Sequence, residues 1–137
     1  MGKLIDNAVV PVSVTVTPGI DGNVNITCFP NPVPVNGLHT LLSFNLDTRG
    51  YRFRTIRSIE LDERNSDFPF PSWTVSPTQA TLYDLCETDN AVKYTVHVVN
   101  TITDVEYSVD PVIKNGGTGT DLSKGKGKAK GKTKSKR

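Results

Sequence analysis

The chain has 137 residues, 36% of them hydrophobic and 22% charged, with 2 Cys and 2 His. That length suits one domain with a tail and excludes a two-domain enzyme, and no apolar run is long enough for a membrane-spanning helix. The net charge of +2 hides a divided chain: from Lys114 to Arg137 eight Lys and one Arg face one acid, Asp121, for a net +8, whereas the 113 residues before them carry 7 basic and 13 acidic groups, for a net −6.

The opening Met1–Asp6 meets a carboxylate before any apolar stretch, so no secretory leader is expected, and Asp6 departs from the myristoylation pattern. Together with the missing membrane span this suggests a cytoplasmic location. Beyond that point period two dominates, and no segment shows a helical period. Val10, Val12, Val14 and Val16 share one face of a first strand, whose entry Pro11 pushes toward an edge. The Thr17–Gly22 turn leads to a second strand carrying Val24, Ile26 and Cys28. Alternate prolines in Phe29–Gly37 block helix and ladder alike and predict a stiff connector.

Leu42, Phe44 and Leu46 mark a third strand, closed by a turn at Asp47–Gly50. From Tyr51 to Leu61 the strict alternation is broken by Ile56, Ile59 and Leu61, predicting a bulge or a short turn. Asp67–Trp73, with Phe68, Phe70 and Trp73 between prolines, is expected to lie over the core as an irregular aromatic lid, or else to offer a sticky patch for self-association. Thr81–Glu87 forms a strand, and after a turn at Thr88–Asn90 the residues Val92, Tyr94, Val96 and Val98 make the clearest one in the chain. The last strand is expected to run from Asp104 to Ile113. About seven short strands predict an all-β fold, an antiparallel β-sandwich of immunoglobulin-like size, over residues 1–115. Residues 116–137, almost devoid of apolar side chains, are expected to form a disordered Lys/Gly-rich basic tail.

The immunoglobulin fingerprint is not met. Cys28 and Cys86 lie 58 residues apart, but Trp73 comes too late and Tyr83 stands three residues before Cys86, not two. Two free buried thiols are expected instead of a bridge. His39 and His97 stand alone, no spacing suits a metal, and no cofactor motif is present. His97 is expected as a half-exposed structural histidine. Arg49, Arg52, Arg54 and Arg57 form the one basic cluster of the body, expected as a solvated face.

The terminal strand carries the chemistry. Period two puts Asp104, Glu106, Ser108 and Asp110 on one face, about 6.8 Å apart at a rise of roughly 3.4 Å per residue. This face reads either as a solvated acidic surface or as crowded carboxylates whose protonation is split, as acid–base hydrolysis uses, and spacing alone favours the former. Asp110 precedes Pro111, and an Asp-Pro bond is weak for a local reason: the side-chain carboxylate is tethered beside its own backbone carbonyl. Asp110 is thus the candidate catalytic residue, Glu106 and Asp104 its proton partners, and Pro111 the leaving side.

The segment Tyr107–Asn115 with its Asp110-Pro111, the Pro71-Ser72-Trp73 triplet and an all-β body of about 115 residues resemble a small family of bacterial proteins known as DP-EP. The resemblance implies a β-sandwich or barrel-like fold and aspartic-type self-cleavage at Asp110-Pro111, the chain being its own substrate. The alternative is a non-enzymatic binding module, homo-oligomeric or not, whose tail gives weak, salt-sensitive contact with nucleic acid or other polyanions.

Overall fold

The computed structural model describes residues 9–116; the basic tail and the opening residues lie outside that range. Strand β1 (Val9–Pro18) buries Val12, Val14 and Val16 and turns the residues between them outward. It runs parallel to β4 (Thr40–Leu46) through Val9–Val14 and antiparallel to β2 (Val24–Phe29) through Ser13–Pro18. Pro11 therefore sits where only one flank is paired, which is where a residue without an N–H is tolerated. The first sheet has the order β2-β1-β4-β8-β7, with β8 (Gln79–Asp84) beside β4 and the short β7 (Trp73–Ser76) at the edge.

The second sheet is organised by β9 (Asp89–Asn100), whose inward Val92, Tyr94, Val96 and Val98 are at most 5% exposed. Both flanks of β9 are interrupted. On one side β5 (Tyr51–Phe53) and β6 (Ile59–Leu61) pair with it in succession; on the other, β10 (Glu106–Val109) and β11 (Val112–Gly116) do so. The strand β3 (Val33–Val35) closes this sheet in parallel with β11. Side chains from both sheets meet between them in one apolar core, with Phe44 and Tyr94 in ring contact at 5.6 Å.

The sandwich is tied at both edges. Between β2 and β3 the chain passes from the first sheet to the second through two cis peptide bonds, Phe29-Pro30 and Asn31-Pro32. At the opposite edge the Ser58 and Thr74 hydroxyls meet at 2.9 Å, Ile59 N donates to Ser72 Oγ, and Phe53 N donates to the Pro77 carbonyl. Among the described residues no helix is long and apolar enough to cross a membrane.

The all-β expectation holds, with corrections in detail. Among the described residues eleven strands replace seven, because two long strands break and two short ones are added. The sheets are mixed, with parallel pairs at β1–β4 and β3–β11. Val33–Val35 does enter a ladder despite Pro34, since an edge strand leaves one flank unpaired. In the aromatic segment Phe68 is buried, but Phe70 and Trp73 are 61% and 71% exposed, so only the first serves as a lid. The last strand does not run from Asp104 to Ile113: it starts at Glu106 and breaks at Asp110-Pro111.

Candidate functional site

The outward face of β9 is set by the same alternation that buries Tyr94 and Val96, and it presents Thr95 and His97. Thr95 stands opposite Glu60 of β6, and His97 opposite Ser108 of β10. Just past the end of β6, Asp62 donates its main-chain N–H to the Lys93 carbonyl, which brings its carboxylate alongside Thr95. Just past the end of β10, Asp110 arrives from the other flank. The Thr95 hydroxyl lies 2.7 Å from Asp110 Oδ1 and 3.0 Å from Asp62 Oδ1.

A threonine hydroxyl has one proton to donate. With both carboxylates ionised, one contact is a hydrogen bond and the other faces a lone pair. Both become hydrogen bonds when one carboxyl carries a proton and donates it to Thr95 Oγ1. The geometry thus brings two acids from opposite sides of β9 to a single oxygen.

The scissile candidate is anchored on its C-terminal side. Pro111 is buried, its carbonyl accepts from Tyr94 N at 3.1 Å, and the next amide, Val112 N, donates to Asn31 Oδ1 at 3.0 Å. Asp110 itself is exposed.

The other two acids of the expected strand face are placed elsewhere. Glu106 Oε2 accepts from Arg54 Nη1 and contacts His97 Nδ1, each at 3.0 Å. The His97 ring is completed by Glu60 Oε1 at 2.8 Å from Nε2, and Arg54 Nη2 donates to the same Glu60 oxygen at 3.0 Å. In the imidazolium form the ring donates to both carboxylates. Burial tends to raise the Glu60 carboxyl, but the hydrogen bonds from His97 and Arg54 and the positive charge of Arg54 outweigh it and hold the group below its ordinary value. His97, with its side chain 13% exposed, is more enclosed than the expected half-exposed ring. Arg54, read as solvated, is the bridge of this network.

Asp104 does not share the strand face. Its backbone is left-handed (φ 66°), which ends the alternation before β10 begins, and its exposed carboxylate lies 3.7 Å from Arg52. The structure therefore brings Asp62 to Asp110, a residue outside the sequence candidates, while Glu106 and Asp104 are engaged by arginines. No local signal marks Asp62, because its role follows from β6 and β10 flanking the same strand.

Among the described residues no group of His, Cys, Asp and Glu is placed to hold a metal ion. Cys28 and Cys86 are both buried. Burial pushes the Cys28 thiol up to about 11, which removes it as a nucleophile near neutrality. No family model matches the chain, and no curated protein matches it either.

Proposed function

We propose that the protein cuts its own chain once, at Asp110-Pro111, by aspartic-type chemistry with Asp110 as nucleophile and Asp62 as proton donor. The observation that carries this reading is the meeting of those two carboxylates on Thr95 Oγ1. The likeness of Tyr107–Asn115 and Pro71-Ser72-Trp73 to the DP-EP family points the same way.

The step balances as follows. A carboxylate oxygen of Asp110 bonds to its own main-chain carbonyl carbon, forming a five-membered cyclic anhydride as the bond to the Pro111 nitrogen breaks. That nitrogen leaves as a secondary amine and takes up a proton supplied by the Asp62–Thr95 pair. Water then opens the anhydride to a C-terminal aspartate. Tethering supplies the effective concentration, and proline supplies a tertiary amide with no N–H to divert the attack. Glu106, His97, Glu60 and Arg54 act here as the frame that fixes β10 against β9 and β6.

Intact mass under denaturing conditions, followed at pH 4–7, tests the proposal. Fragments 1–110 and 111–137 are expected, and an Asp110→Asn variant should stay whole. A full-length mass that persists for weeks, or equal fragmentation of the variant, overturns it.

A second reading rests on the charge division of the sequence, a net −6 before Lys114 and +8 after it. In this reading the tail contacts polyanions by counterion release. Salt-dependent retention on heparin that vanishes when residues after Asn115 are removed, with no fragments formed, would favour it.

A further inference from the structure

Inside the fold, away from the scissile bond, three polar side chains share one buried site. Asn115 of β11, fully buried, donates from Nδ2 to Asp67 Oδ2 and to Asp84 Oδ1, both at 3.0 Å. Asp67 and Asp84 are themselves at most 1% exposed. Asp67 also accepts from Glu87 N and from the main chain and hydroxyl of Thr88, and Asp84 accepts from Cys86 N. The one neutral group between the two acids is the Asn115 amide, and it provides a proton for each. Two further buried atoms of this site, Asp84 Oδ2 and Asn115 Oδ1, have no partner among the described residues.

Asn115 is followed by Gly116, where a Cβ would come within 2.7 Å of Asn36 Oδ1, the movable end of an exposed side chain. The absence of a side chain is also what lets a following amide reach an asparagine side chain most easily. In the folded strand Asn115 pairs with Asn90 and Val35, and the extended backbone keeps the Gly116 nitrogen away from Asn115 Cγ. The reaction therefore waits on a local opening of β11.

We propose that Asn115 is a spontaneous modification site whose side-chain amide is the clasp of β11, and that its conversion to a carboxyl by cyclisation with Gly116 unlatches that strand. The Gly116 nitrogen, giving up its proton, bonds to Asn115 Cγ; the Cγ–Nδ2 bond breaks and ammonia leaves with that proton. Water opens the resulting succinimide to aspartate or isoaspartate. The net change is one water in and one ammonia out, with no redox step. The product replaces the amide that donates to both Asp67 and Asp84 with a third acid, and ionised carboxyls crowded in one buried site repel one another. Each opening that reacts thus becomes permanent, and β11 is released with everything that follows it. This inference does not rest on scission at Asp110.

The test ages full-length protein at 37 °C and pH 8, with an Asp110→Ala variant in parallel to remove any scission, and maps peptides by mass. A gain of one mass unit at residue 115 is expected, slower in native protein than in urea. Modified molecules should show amide exchange over residues 112–116 at least about 10-fold faster than unmodified ones. An Asn115→Asp variant should show the same loosening, or fail to retain β11. No gain at residue 115 in native protein while the urea control reacts, or modified molecules with β11 as protected as before, overturns the proposal.

Discussion

Asp62 and Asp110 reach the same hydroxyl from opposite flanks of β9, at 3.0 and 2.7 Å from Thr95 Oγ1. They are 48 positions apart in the chain, and each comes just after a short strand ends against β9. The two interruptions in the neighbours of β9 are what let loop carboxylates fold in over a strand's outer face.

If this pair moves the proton, removing the partner acid should slow scission without stopping it. Asp62→Asn and Thr95→Val are expected to reduce fragment formation by about 10- to 100-fold, within the range of general acid catalysis. Glu106→Gln should leave the rate within a few-fold of the parent, since that carboxylate is held by Arg54 and His97. Time courses of intact mass on the folded variants decide between the two acids.

Asp84 gives the fold a pH dependence of definite sign. Burial, partly offset by the hydrogen bonds of Asn115 and Cys86 N and reinforced by the nearby charge of Asp67, pushes its carboxyl up from 3.8 to about 6. A group raised on folding stabilises fully below its unfolded value, and that contribution is lost as pH rises through the folded value. Between pH 4 and pH 7 the parent should therefore lose about 2–3 kcal/mol relative to Asp84→Asn. Urea unfolding of both proteins across that window measures the difference.

Arg54 fixes the loop between β5 and β6 by donating to the Ile56 carbonyl at 2.9 Å and to the Arg57 carbonyl at 2.9 Å. Arg54→Met should free this exposed loop and open it to trypsin after Arg57, at least about 10-fold faster than in the parent. The global unfolding midpoint should move less, because the ion pairs lost are partly exposed. Limited proteolysis beside a denaturant curve separates the two effects.

The contact between Phe44 and Tyr94 joins the sheets at the centre of the core. Phe44→Ala should cost about 3–5 kcal/mol by loss of burial and creation of a cavity. Phe70→Ala, at an exposed ring, should cost far less. Chemical denaturation of the pair is the control for the core assignment.

Local alternation was enough to read β1, β2, β4 and β9, because valines two apart need only one buried face to declare themselves. It also located the break between Tyr51 and Leu61. What it could not supply was pairing. Pro34 within Val33–Val35 argued against a ladder until β11 lay beside it, and the left-handed Asp104 leaves no trace in a periodic count. The candidate site was half legible for the same reason. Asp110-Pro111 is a local feature of the chain, whereas Asp62 and the Asp67–Asn115–Asp84 clasp exist only once distant strands are neighbours.

Because β9 alone runs unbroken through its sheet while four short strands tile its two sides, the sheet has a spine and no continuous rim. Each tile can detach without dragging the next along the same side. Damage to this sheet would therefore be graded, shed piece by piece around a persisting central strand, and the protein would register an insult as the loss of a component before it registered it as collapse.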